Sequence, residues 1–552
     1  MALRSVAFTA LFSLAIAWAI YSALCLLRNY SSARKLGLPI RVLPISHGNS
    51  FWMIVDRKVT SFFRRLPFGD NNFTRYNWRG WEVRDRYRSH LEMGDAYVQV
   101  TPGRNWLYLC SPESLLEVFR RRSDFPRPLE LYDLLNIFGS NLATVDGQQW
   151  KKQRKITASC FNDSTSEVVW AESLALATDM LKFWSSKDAV GSTADDVGTL
   201  SLHVLSKVGF GKSFKFQSQD AHDTINPALN YKESLKMVLD NCVLIMALGT
   251  KFLSRPWLPR KLQKHHMTSV YEEEKLAYEK GFSTDRNLLS SLIKASNEEA
   301  LNFSNGSTGP PSGGGGLTES EIYGNMFVFN FAGHDTTAHT LMFAIAFLAA
   351  KPQVQDWLSE ELHTVFADRV PDQWDYQRDL PKLIRCHAVL METVRLYTPV
   401  PIAKWTADSS QTLQVGDKLV PIPPDTMVIP SYAALHTHPR CWGSDSLEWR
   451  PERWIVEGTD GEEELKSPPR GTFIAWSEGE RSCPGKKFSQ IEFVATMAVL
   501  FKDWRVSPQR SEGEKDADAR GRLLRLISTD SAQVLLLQML HPERAPLCWS
   551  KA

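Results

Sequence analysis

Charge of one sign is the first thing this 552-residue chain lacks: 64 Lys and Arg stand against 62 Asp and Glu, a formal net charge of +2. Without a basic excess there is no face for a phosphate backbone, and no nucleic-acid partner is expected. Ordered cysteine spacing is missing too. The eight cysteines, Cys110, Cys160, Cys242, Cys386, Cys441, Cys483 and Cys548 among them, include no Cys-x-x-Cys pair. In a large chain such scatter favours reduced, mostly buried thiols and a cytosol-facing body. No Gly-x-Gly-x-x-Gly follows a strand, and the glycine run at 313–316 opens no phosphate loop.

Charge is also missing altogether from Ser5 to Leu27, a run mostly of Ala, Leu, Ile, Phe and Val. At about 1.5 Å per residue, roughly twenty such residues cross a ~30 Å hydrocarbon core. Arg28, Arg34, Lys35 and Arg41 follow the run and only Arg4 precedes it, which places the body of the protein on the cytosolic side. A cleaved secretory signal is the competing reading, and the apolar run is long for one. Residues 5–27 are therefore expected as a single-pass anchor in the lipid bilayer. Residues 28–50, basic and carrying Gly37, Pro39 and Pro44, read as a stiff hinge, and 51–552 as the body.

Along the body, Ala96–Thr101 and Trp106–Cys110 alternate around Pro102-Gly103 as a hairpin does, and Ser111-Pro112 reads as a helix start. Asp124 to Asp146 is apolar and loop-rich, suited to a ligand cleft or to core packing. Asp146-Gly147 opens a helix on which Trp150 and Arg154, four apart, share one face. Residues 165–295 read as helices, and 302–317, with Pro310-Pro311 and four glycines, as a flexible insertion. Leu317–Ala350 is a long apolar helix interrupted by Ala332-Gly333-His334-Asp335-Thr336-Thr337. Glycine, acid and hydroxyls inside a buried helix are locally costly, and such a violation marks function. Leu383–Tyr397 is another helix, bearing Glu392-Thr393-Val394-Arg395. Short strands are expected at Leu413–Val415, Lys418–Ile422 and Thr426–Ile429, and strand-like alternation from Leu523 to Leu540.

The stretch that organises the rest is Trp476-Ser477-Glu478-Gly479-Glu480-Arg481-Ser482-Cys483-Pro484-Gly485, with a helical run behind it. Positive charge and a helix N-terminus both favour thiolate over thiol, and glycines let backbone amides close on sulfur. In this spacing the segment resembles the haem-binding loop of the cytochrome P450 superfamily, with Trp476 where that family usually has Phe. The set Glu392-x-x-Arg395 and Pro451-Glu452-Arg453-Trp454 is similar to the family's buried ionic triad of Glu392, Arg395 and Arg453, Trp454 again replacing Phe. Five motifs occur in the family's order.

The resemblance implies one mainly α domain with a smaller β-rich part, preceded by the N-terminal transmembrane helix. It implies haem b, iron protoporphyrin IX, with Cys483 as axial thiolate ligand. Around it, Trp150, Arg154, Lys404, Trp476, Gly479, Arg481 and Gly485 would hold the cofactor, and Asp335 with Thr336 would serve oxygen activation. The implied reaction inserts one oxygen atom from O₂ into an apolar small molecule, by hydroxylation or epoxidation, as in secondary metabolism. Electrons would come from NADPH–cytochrome P450 reductase or cytochrome b5, docking on Lys152, Lys155, Lys486 and Lys487, with the anchor in the endoplasmic reticulum. The hydropathy pattern resembles filamentous-fungal members. A haem-thiolate isomerase or a peroxygenase working without reductase remains the alternative.

Overall fold

The computed structural model describes residues 2–136, 138–211, 213–216, 287–306, 315–459 and 461–552. Cys242 and most of the 165–295 span lie outside them, as do residues 307–314 of the expected insertion.

Helices start where side chains can satisfy the free backbone N–H groups of a first turn. Asp146 caps α2 (Gly147–Ala158) and Asn162 caps α3 (Asp163–Trp184), Asn162 accepting from Thr165 N at 3.0 Å. Next comes α4 (Thr193–Phe210). A reciprocal box opens α5 (Glu319–Ala350): Thr318 Oγ1 accepts from Glu321 N at 3.2 Å, and Glu321 Oε2 accepts from Thr318 N at 2.8 Å. Helix α6 spans Ile384–Leu396 and α7 spans Lys486–Phe501. Helices α3, α4, α5, α6 and α7 pack on one another around the largest apolar core. Ahead of them, α1 runs Ala2–Arg34.

The smaller β part is a five-stranded sheet ordered β1-β2-β3-β7-β4 (Ile40–Val42, Ala96–Val100, Asn105–Leu109, Thr426–Pro430, Lys404–Trp405). β2 and β3 form the expected hairpin, with Val98 opposite Leu107. β5 (Gln411–Val415) and β6 (Lys418–Ile422) pair only with each other, while β7 leaves them to run parallel to β3. The stretch read as a hinge thus holds the last turns of α1 and strand β1.

The tail departs from expectation. Leu523–Thr529 belongs to a helix, α8 (Asp516–Thr529), and only Ser531–Gln533 and Leu537–Met539 are strands, paired as a hairpin. Ala519, Leu523 and Ile527, four apart, make a single buried stripe, a helical period that outweighs the local alternation. The hairpin still returns towards the interior, Leu537 N donating to Pro399 O at 2.9 Å.

Candidate functional site

Between α5, α6 and the loop before α7 lies a mostly apolar cavity of about 310 Å³. Cys483 opens onto it. The loop that presents the sulfur is tightly built: Cys483 N donates to Trp476 O at 2.8 Å and Ser482 N to Gly479 O at 3.0 Å. Gly479 has φ +73°, and a Cβ there would stand 3.4 Å from Phe119 O, so the position suits glycine twice over. Burial pushes the Cys483 thiol up, while the Gly485 N–H and the guanidiniums of Arg154 and Arg127 pull it back towards thiolate.

Cations gather on the same cavity. Trp150, Arg154, Trp476, Arg481 and Gly485 line it, and so does Arg127, whereas Gly479 does not. The guanidinium carbons of Arg122 and Arg481 lie 4.4 and 4.7 Å from the centre of the Trp150 ring, both within cation–π range. Arg481 donates to Val145 O at 3.0 Å and to Asp146 Oδ1 at 2.5 Å, yet its buried Nε and Nη1 have no partner among the described residues. Burial, with Arg127 next, lowers Arg481 to about 10. Lys404 stands just outside the lining, 2% exposed; burial first, then Arg127 and Arg481, lower it to about 7. Asp146 sets negative charge against Lys404 and Arg481, and Glu480 pairs with Arg122 at 2.9 Å.

A flat dianionic ligand answers this field. The two propionates of haem would meet Arg127, Arg154, Lys404 and Arg481, the unpartnered guanidinium nitrogens among them, and its iron would face Cys483. The residues present fit the group. Arg127 and Arg122 were not legible in the sequence, because neither belongs to a motif.

The acid–alcohol pair divides. Thr336 lines the cavity; its Oγ1 donates to Ala332 O at 2.7 Å, so the hydroxyl's lone pairs are what it offers to the cavity. Asp335 is absent from the lining, and its Oδ1 lies 2.9 Å from His334 Nδ1. Gly333 lets α4 approach, since a Cβ there would stand 3.0 Å from Leu205 Cδ2.

Behind the site, Glu392 and Arg395 are wholly buried. Arg395 donates to Glu392 through Nε at 2.7 Å and Nη2 at 2.8 Å, and Arg453 Nε donates to Glu392 Oε1 at 2.9 Å. Trp454 adds what a phenylalanine could not: its Nε1 donates to Glu392 Oε2 at 2.9 Å. Three of the four lysines expected to dock a reductase are already paired: Lys152 with Glu321 at 3.7 Å, Lys155 with Glu299 at 2.7 Å, Lys487 with Asp163 at 2.6 Å. Lys486 lies over the Trp476 ring at 5.6 Å.

A helical body with a small sheet, an open cysteine in a glycine-punctuated loop and a cationic rim define a haem-thiolate class of protein. The chain belongs to the cytochrome P450 family, whose pattern matches residues 86–534. It is similar to a cytochrome P450 monooxygenase of Arthrobotrys oligospora, 26% identical over 90% of each chain. It is also similar to cytochrome P450 monooxygenase 124 of Postia placenta, 28% identical over 82% of this chain and 84% of that one. The phomenoic acid biosynthesis cluster cytochrome P450 monooxygenase of Leptosphaeria maculans is 28% identical over 89% of this chain and 91% of its own. The chain is thus an enzyme of the P450 monooxygenase kind.

Proposed function

We infer that this enzyme inserts one oxygen atom from O₂ into an apolar small molecule of secondary metabolism, by hydroxylation or epoxidation. The observation that carries this is the cavity itself: an open Cys483, a rim of cations and walls that are otherwise apolar. Bound there, haem b supplies the oxygen-activating chemistry, with Cys483 as its thiolate ligand and electrons from a separate NADPH–cytochrome P450 reductase or cytochrome b5. The chain's own residues do the rest. Arg127, Arg154, Lys404 and Arg481 anchor the propionates. Phe329, Val328 and Leu205 exclude bulk water and offer apolar contact to substrate. Thr336 holds a water by accepting its hydrogen bond, and Asp335 relays protons towards it from outside the wall. Helix α1 anchors the body in the endoplasmic reticulum membrane, the catalytic domain on the cytosolic side.

The relative named for the phomenoic acid biosynthesis cluster supports the secondary-metabolite reading. The test is co-expression with a reductase in a host supplied with isotopically labelled O₂, comparing accumulated metabolites with and without the chain. A new product carrying one labelled oxygen is expected. Full turnover from hydrogen peroxide alone, or a rearranged product with no label, would move the assignment to the peroxygenase or isomerase alternative.

A further inference from the structure

Nine residues beyond Cys483, α7 carries a carboxylate that the proposed reaction does not use. Glu492 is 0% exposed, and neither carboxylate oxygen has a hydrogen-bond partner among the described residues. One turn further on, Thr496 Oγ1 is equally buried and equally alone. Two more hydroxyls share this condition: Ser173 on α3 and Ser201 on α4, both 0% exposed and both without a partner. Helix α3 packs against both α4 and α7, so all four groups lie on the helices of one junction. Burial pushes the Glu492 carboxyl up to about 8, and the Ser201 hydroxyl pulls it partly back.

The junction extends to the cavity wall. Helix α4 runs antiparallel along α5: a Cβ on Gly209 would stand 3.6 Å from Met326 Cε, and one on Gly333 would stand 3.0 Å from Leu205. One turn along each helix from the Leu205–Gly333 contact come Ser201 and Thr337. Thr337 lines the cavity, and its Oγ1 too is buried without a partner. These five buried polar groups, Thr337 at the cavity wall among them, make no hydrogen bond among the described residues. Buried polar atoms are almost always satisfied, and a water with two to four such partners is the usual means.

We propose that Glu492, Ser201, Ser173 and Thr496 enclose a hydrated cell that keeps Glu492 as a neutral carboxylic acid and exchanges with the cavity through Thr337. The ligand is water, and the cell is a proton store separate from Asp335 and Thr336. A proton leaving Glu492 would pass along the water line to Thr337 and leave carboxylate behind, to be reloaded by the same route. Apolar surroundings favour the neutral form and so keep the store filled at neutral pH.

Infrared spectroscopy of the full haem-loaded chain tests this without turnover. The parent should show a protonated carboxylic acid stretch that Glu492→Gln removes and that shifts on transfer to heavy water. Thr337→Val should leave the band in place but slow its isotope shift at least tenfold, since the port is closed. If Glu492→Gln does not accumulate, Ser201→Ala serves, and it should change the frequency of the band by removing a partner. A parent spectrum that neither variant alters, or an isotope shift as fast in Thr337→Val as in the parent, overturns the proposal.

Discussion

Glu392 accepts five hydrogen bonds, two from Arg395 and one each from Arg450 N, Arg453 Nε and Trp454 Nε1. Their strengths are not equal in consequence. Trp454→Phe removes one donor to a charged acceptor and leaves four, a loss of about 1.5–3 kcal/mol. Arg395→Ala takes two of the five donors from Glu392 and strands the carbonyls of His436 and Ser446, and removing one member of a buried pair costs about 3–5 kcal/mol. Urea midpoints should rank parent above Trp454→Phe above Arg395→Ala, with little haem-loaded protein for the last. Normal haem content in Arg395→Ala would contradict a structural role. Thr336 gives the second prediction at this scale. Its proton is committed to Ala332 O, so what it lends the cavity is an acceptor for water. Thr336→Ala should keep haem and fold while diverting reductant to released peroxide, the lost proton positioning being worth about 10²–10⁴-fold. Peroxide formed per reductant consumed, beside product, is the measurement; unchanged coupling would remove Thr336 from the mechanism. Residues inside a local motif, Cys483 and Arg395 above all, could be found in the sequence. Arg127 on the cavity and Arg122 over the Trp150 ring could not, because folding brings them there from more than 300 residues before Arg481.

At the scale of elements, periodicity gave the helices and local turns gave the hairpins, because both signals lie within a few residues. What stayed hidden was partnership. The strand at Thr426–Pro430 reads like its neighbours, yet it pairs with β3, more than 300 residues earlier in the chain. His436 shows how such long-range joins are held. Its Nε2 accepts from Ile474 N at 3.0 Å, on the approach to the cysteine loop, and its Nδ1 lies 3.0 Å from Thr398 Oγ1 just beyond α6. Burial, then Arg395, lowers it to about 3. The folded-state value is depressed below an unfolded value of about 6.5, so the folded state binds fewer protons. This group's contribution is complete above pH ~6.5 and is lost as pH falls towards the folded value, at no more than about 1.4 kcal/mol per pH unit. His436→Gln should lower stability at neutral pH but flatten the acid limb of a melting-temperature profile relative to the parent. Parallel acid limbs would show that His436 does not carry the loss.

Across the whole molecule, the exposed apolar length of α1 passes into the catalytic body within a few turns. Phe12–Arg34 is long and apolar enough to cross a bilayer, and its side chains from Phe12 to Leu27 are largely exposed. The last turns behave differently. Asn29 Nδ2 donates to Thr101 O at 2.9 Å and Pro102 O at 3.2 Å, and Asn105 Nδ2 donates to Asn29 O at 3.1 Å. Ala33 and Leu36 are buried at 0% and 5% exposed, and Ile40–Val42 adds a strand beside β2. Sequence placed a stiff hinge at residues 28–50, because Gly37, Pro39 and Pro44 follow the basic residues there. In the fold those same residues contribute to the body. A soluble form lacking residues 2–25 should therefore unfold at the parent's denaturant midpoint. One lacking residues 2–38 should lose about 3–5 kcal/mol, the sum of two buried apolar side chains and two or three hydrogen bonds. Both forms must be compared as haem-loaded protein in the same detergent-free buffer. Equal midpoints would mean that the end of α1 is a tether after all, and that the body begins only at the sheet.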